Sequence, residues 1–241
     1  MKRSINFFLL IMCCLTLLVC VHSCKLQSID PETVDLGHDY YPLEIGRYII
    51  YNQHDTIYNS VTVVDTTYHV KEVIHDSYKE GTEEKFIVYH YAKKTTDTVW
   101  PIQPDSVWTV VNTNNQLIRT ESNIDYIKLV FPVKEGKAWN GNAKNPAGEF
   151  TSSDKFYRMT DLNKPYTING MVYPNTLKMT IANQSDEIVS MDIRYDIYAK
   201  GIGFVKKDYT VYYYKQDPAL PSKTIDFGSH KVMEMTNYGR E

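Results

Sequence analysis

From residue 41 onward the chain alternates apolar and polar side chains with a period of two, and its apolar positions are rich in β-branched and aromatic residues. The pattern holds over residues 47–51 (RYIIY), 60–75 (SVTVVDTTYHVKEVIH), 85–92 (KFIVYHYA) and 106–112 (SVWTVVN), and again over 126–132 (YIKLVFP), 176–183 (TLKMTIAN), 188–200 (IVSMDIRYDIYAK) and 204–216 (FVKKDYTVYYYKQ). Successive side chains of a strand point to opposite faces, so this period marks strands with one buried face. The 20 tyrosines suit a pleated surface that is wet on one side. Turn formers separate the runs at residues 79–81 (KEG), 112–115 (NTNN), 140–141 (NG) and 169–170 (NG). No segment carries a capped apolar stripe at helical spacing.

These features predict an all-β protein with little helix, a single antiparallel domain over residues 41–241. Its architecture is expected to be a β-sandwich or an open curved sheet or half-barrel. Runs of ten or more residues, such as 60–75 and 188–199, favour the large curved sheet over an immunoglobulin-like module. Residues 41–48 (YPLEIGRY) and 131–139 (FPVKEGKAW) echo one another, each reading aromatic-Pro-aliphatic-x-x-Gly-basic. They are expected to be two similar approaches into strands rather than a repeat.

The first 24 residues follow a different logic. Lys2 and Arg3 precede an uncharged apolar stretch, and the segment closes on Val21-His22-Ser23-Cys24. A basic start, an apolar stretch and a small residue before the cut define a secretory signal. The closing tetrapeptide is similar to the lipobox of bacterial lipoproteins, with an aliphatic residue at −3, a small one at −1 and then cysteine; His22 departs from the usual small or aliphatic residue. That resemblance implies cleavage before Cys24 and acylation of its thiol, with residues 1–23 as signal peptide. All four cysteines (Cys13, Cys14, Cys20, Cys24) lie in this opening, so the body is not a disulfide scaffold. Residues 24–40 are polar and aperiodic after the cysteine and are expected to form a flexible tether, some ~50 Å long when extended. Stable anchoring follows from two or more acyl chains.

Loss of Lys2 and Arg3 with the leader takes the formal charge from −3 to −5. A mildly acidic body excludes nucleic acid as a partner. Gly201 and Gly203 lack the third glycine, helix and acid of a dinucleotide site and read as a turn between strands. The six histidines of the body (His38, His54, His69, His75, His90, His230) form no ligand motif, so neither metal nor cofactor is expected. There is no nucleophile elbow and no cysteine beyond residue 24, and no catalytic residue is assigned.

Two patterns remain as candidate binding or modification sites. Trp100 and Trp108 bracket a Pro-containing connection and are candidate ligand-binding residues, able to stack on sugar or anchor a partner, although strand ends in the core explain them as well. Thr56, Thr66, Thr98 and Ser106 each follow an Asp (Asp55, Asp65, Asp97, Asp105), a pattern that resembles the short O-glycosylation sequon of some diderm gut bacteria.

Residues 41–51 (YPLEIGRYIIY), 131–141 (FPVKEGKAWNG), 169–180 (NGMVYPNTLKMT) and 198–209 (YAKGIGFVKKDY) occur in an order that resembles uncharacterised all-β lipoproteins of diderm bacterial envelopes. The resemblance implies the fold and an address in the cell envelope, at the outer membrane, on its periplasmic or surface side; it implies no reaction. The function expected is non-enzymatic binding or scaffolding beside a membrane, with an envelope protein or glycan as partner. Two alternatives are a carrier of lipid or other apolar ligands in an open half-barrel, and a carbohydrate-binding accessory protein.

Overall fold

In the computed structural model of the chain, residues 35–145, 156–186 and 188–241 are described. Cys24, the signal peptide and most of the expected tether lie outside them. Among the described residues twelve strands form one antiparallel sheet, nearly closed into a barrel. A single sheet curled on itself replaces the two layers of a sandwich. The strands are β1 (Arg47–Asn59), β2 (Thr62–Glu80), β3 (Glu83–Lys94), β4 (Ser106–Asn112), β5 (Gln116–Glu121) and β6 (Ile124–Val130). The remainder are β7 (Ala138–Asn140), β8 (Phe156–Ile168), β9 (Met171–Asp186), β10 (Ser190–Ala199), β11 (Gly203–Tyr214) and β12 (Ile225–Arg240).

The sheet order is β6-β5-β4-β3-β2-β1-β12-β11-β10-β9-β8-β7. It consists of two six-stranded meanders, one before and one after the loop at residues 131–137, joined where β1 pairs with β12. The two echoing segments occupy equivalent places, each leading into the first strand of a meander. Gly46 (φ 86°) and Gly136 (φ 76°) make the left-handed step that turns the chain into β1 and β7.

Curvature comes from irregularities in strand pairing. Register shifts occur between β1 and β12 at Ile50/Tyr51, between β2 and β3 at Ile74/Asp76, and between β5 and β6 at Leu117/Ile118. Two more, at Arg194/Tyr195 toward β9 and at Ile197/Tyr198 toward β11, flank Asp196 on β10. Such bulges bend a strand, raise its twist and re-aim side chains.

The two edges meet along a short seam. The Ile127 N–H donates to the Gly141 carbonyl at 2.9 Å, and the Trp139 indole N–H donates to the Ile127 carbonyl at 2.8 Å. Gly141 packs directly on the Tyr157 ring, whose atoms lie 2.1–2.4 Å from where a Cβ would stand. Tyr157 is itself buried and cannot swing away.

Much of the barrel interior is apolar. Tyr51, Val70, Val88, Val110, Leu117, Leu129, Met159, Leu177 and Met179 fill it, on the buried phase of their strands. Residues 36–41 form a plug at one end of the barrel, so the last residues of the span expected as tether are packed against the core. Leu36 packs against the core, a short 3-10 turn spans His38–Tyr40, and Tyr40 is fully buried with its hydroxyl donating to Asn163 Oδ1 at 2.7 Å. The Gly201 N–H donates to the Asp39 carbonyl at 2.7 Å, which pins the plug to the turn between β10 and β11. A plug has no periodic neighbour to pack against, so no repeating pattern announces it.

Replacing Gly141 with alanine is expected to open the seam, because Tyr157 has nowhere to go; overpacking of this kind costs about 1–3 kcal/mol. A urea titration followed by tryptophan fluorescence should show a lower midpoint for Gly141→Ala, whereas Gly170→Ala, with open space around its Cβ, should lose only the turn preference.

Candidate functional site: a charged cavity inside the barrel

Several inward positions among these apolar ones carry charge instead. Barrels of about eight strands are filled by side chains, and wider ones keep internal space. Here a cavity of about 280 Å³ is lined by residues from both meanders. Its floor is Tyr41, Tyr198 and Phe204; its walls include Glu72, His90, Trp108, Arg119, Glu121, Lys128, Asp196 and Lys207. Toward the outside it passes Gln53 and Tyr68 to Lys231, whose side chain is 43 % exposed.

Three of the charged wall residues sit on the apolar phase of their strands. On β2, Glu72 takes the inward position between Val70 and Ile74; on β5, Arg119 follows Leu117; on β10, Asp196 precedes Tyr198. Arg119 is the hub. Its guanidinium donates to both oxygens of Glu72 at 2.7 and 2.9 Å and to the Tyr41 hydroxyl at 2.9 Å, while its Nε stands 2.7 Å from Glu121 Oε1. The same guanidinium lies 4.7 Å from the centroid of the Trp108 ring, and Trp108 in turn packs 4.4 Å from the His90 ring. A fork donor that meets a carboxylate edge-on and an aromatic ring face-on is the geometry for which arginine is suited and lysine is not.

The electrostatics follow from burial among these partners. Burial would raise the Glu121 carboxyl, but Lys128, Arg119 and Lys207 outweigh it and hold the group down at about 2. Burial lowers the His90 imidazole and keeps it neutral at physiological pH. Asp196, only 1 % exposed, goes the other way: burial pushes its carboxyl up against the opposing pull of Lys128, Lys207 and a hydrogen bond from Tyr209. Among the described residues four buried polar atoms without a hydrogen-bond partner belong to this wall: His90 Nδ1, Trp108 Nε1, Asp196 Oδ1 and Arg119 Nε, the last facing Glu121 without hydrogen-bond geometry.

At the outer end a small network holds the opening. Asp55 accepts from the Tyr68 hydroxyl at 3.0 Å and from Gln53 Nε2 at 3.0 Å, and Lys231 Nζ lies 3.6 Å from it.

The residues singled out from the sequence are scattered over this frame. Trp108 lines the cavity; Trp100 is half-buried in the loop between β3 and β4 under the Lys93 ammonium, 4.8 Å from its ring centroid. The two do not form one aromatic strip. Thr66 on β2 and Thr98 in the β3–β4 loop are exposed, Ser106 at the start of β4 is half-buried, and Thr56 on β1 is 9 % exposed, a poor position for a bulky substituent. Gly201 and Gly203 lie at the turn between β10 and β11, as the sequence predicts. This hollow is walled mainly by ion pairs and aromatic rings rather than by aliphatic side chains. The charged wall itself was missed, and its signal was a charged residue on the buried phase of an otherwise apolar strand.

No family model matches the chain, and no curated protein matches it. Among solved structures, a "putative exported protein" with a YmcC-like fold from Bacteroides fragilis aligns over 82% of this chain and 98% of its own at 8% identity, with a TM-score of 0.38. A "putative lipoprotein" from Parabacteroides distasonis covers 82% of this chain and 98% of its own at 10% identity, with a TM-score of 0.32. A DUF1329 family protein from Desulfovibrio piger covers 86% of this chain and 94% of its own at 12% identity, with a TM-score of 0.21.

Two expectations test the wall. Glu72→Gln leaves the Arg119 charge short of its main partner and should cost about 3–5 kcal/mol in a urea titration, whereas the double change Glu72→Leu with Arg119→Met should recover most of that loss. Asp196 carries the opposite sign. Its folded-state carboxyl is raised, so the native protein bears the cost of burying the charged form at neutral pH and escapes it below the unfolded value. Asp196→Asn should therefore raise the melting temperature at pH 7, and the gain should vanish as the pH falls below about 4.

Proposed function

We propose that this chain is a non-enzymatic lipoprotein of the bacterial envelope, anchored through Cys24, whose barrel interior receives a small ligand. The observation that carries the reading is the cavity: space enclosed by both meanders, closed at one end by the plug and lined by polar groups that converge without a catalytic arrangement. Its size falls near the lower end of small-molecule sites, roughly 300–1,000 Å³. A rigid frame of paired strands with a few placed polar groups is how such sites fix a ligand's orientation. The leader and the lipobox-like tetrapeptide supply the address, and the chain carries no described helix long and apolar enough to cross a membrane.

Binding at Trp108 is part of this reading, because its ring belongs to the cavity wall and already stacks on Arg119. Trp100 has no such place. A glycan or protein partner on the outer surface, where Tyr213 and Phe227 stack with their rings 4.5 Å apart, is the second reading.

Mass spectrometry of the protein extracted in detergent from the producing cell's envelope tests both halves. Under denaturing conditions the mass should equal residues 24–241 plus a diacylglyceryl group and an amide-linked acyl chain. Under native conditions an additional small-molecule mass should appear, and it should be lost on unfolding. A bare chain recovered from the soluble fraction would overturn the anchor, and an envelope-purified protein that never carries a ligand would overturn the binding role.

A further inference from the structure

We infer that the ligand is a small organic anion, whose carboxylate or phosphate oxygens are held between Lys128 and Lys207 over the aromatic floor. This deepens the reading of the cavity as a binding site and rests on it. The inference comes from which groups on the wall already have partners. Both oxygens of Glu72 accept from Arg119, and Glu121 is shared between Arg119 and Lys128. The carboxylates are thus committed to protein cations.

The ammonium groups are not committed in return. Lys128 is 6 % exposed, yet among the described residues its Nζ makes no hydrogen bond; it lies 3.8 Å from Glu121 Oε1 and 4.8 Å from the Tyr126 ring centroid. Lys207 has neither an ion pair nor a hydrogen bond among the described residues. Its Nζ stands 5.1 Å from the Tyr209 ring centroid and 5.8 Å from that of Phe204. Asp196 is its register partner across β10 and β11, with side chains on the same face, and still the two do not pair. Cross-strand partners have their Cβ atoms about 5 Å apart, so an ion pair was within reach.

An ammonium has three donors and no acceptor, and burying it without a partner costs several kcal/mol. The strands nevertheless hold two ammonium groups with donors to spare against one cavity: buried Lys128, whose ion pair with Glu121 is long at 3.8 Å, and half-buried Lys207, which has none among the described residues. Trp108 Nε1 adds a third donor without an acceptor. Burial raises the Asp196 carboxyl, which reduces the hold of the charged form that would repel an anion. Donors outnumber acceptors on this wall, and an acceptor-rich ligand supplies the difference. Tyr41, Tyr198 and Phe204 form a floor for a flat or apolar remainder.

The test is isothermal titration calorimetry on the intact lipoprotein in detergent, with benzoate, phenyl phosphate, inorganic phosphate and the uncharged isostere benzamide as probes, each at low salt. Benzoate or phenyl phosphate should bind at least tenfold more tightly than benzamide. Lys207→Met should weaken that binding at least tenfold while changing the urea midpoint little, since among the described residues Lys207 makes no ion pair or hydrogen bond and acts on Glu121 only at a distance. Preference for phenyl phosphate with equal binding of inorganic phosphate would mark the phosphate head as the recognised group; binding of benzoate alone would mark a carboxylate. Equal binding of benzamide, or wild-type affinity in Lys207→Met, would overturn the anion assignment and leave the binding cavity standing. A neutral or cationic mass released from the native protein would do the same. Failure of every probe, together with a native protein that carries no ligand, would overturn both.

Discussion

The barrel's interior is organised around one buried cation. Arg119 reaches Glu72 on β2, Glu121 on its own strand and Tyr41 in the plug, and it carries the Trp108 ring from β4 on its face. A buried guanidinium must be surrounded by acceptors or the fold does not tolerate it. That requirement fixes the distance between β2 and β5, draws the plug into the barrel and positions one cavity wall. It also explains why ion pairs occupy positions where leucine or valine would contribute more stability. Hydrophobic replacements of buried pairs are often neutral or stabilising, so retention of this one is better understood through what it orders than through what it contributes to folding.

The two halves of the wall follow different rules. On the β2–β5 side every charge has its counterpart, and the aromatic rings lock the guanidinium in place. On the β10–β11 side Asp196 and Lys207 face each other across strands without pairing, between two register shifts that turn β10 locally. One side is a finished structure and the other holds unspent hydrogen-bonding capacity. Binding sites commonly concentrate such local disagreement with the rules that otherwise specify a fold.

Much of the fold was legible because alternation is a direct record of a strand with one wet face. The long runs now seen as β2 and β10, the turns at Gly81 and at residues 169–170, and the turn ahead of Gly203 stand in the structure. Where alternation was diluted, strands escaped notice: β8 contains Asn163 and Pro165 within a distorted pairing with β9, and β12 carries Gly228 and Gly239 among polar residues. The turn at Ser60 and Val61 was read through as strand, because valine is a strand former and the turn carries no glycine. The cavity was less legible still. Glu72, Arg119, Lys128, Asp196 and Lys207 are far apart in sequence, and single charges within strands normally point to water. Only pairing and closure reveal that these point inward.

The pairing of β1 with β12 has a consequence for how the chain reaches this state. Every other pair of neighbouring strands in the order of the sheet is also consecutive in sequence, so each meander can zip up strand by strand. The β1–β12 contact joins residues such as Arg47 and Arg240, and the entropy of closing so long a loop falls on that one step. The two meanders are therefore suited to form as separate curved half-sheets, each with one wall of the cavity, and the charged groups of the two walls meet only when the halves dock. Until then those charges face water, which spares the early stages of folding the cost of burying them.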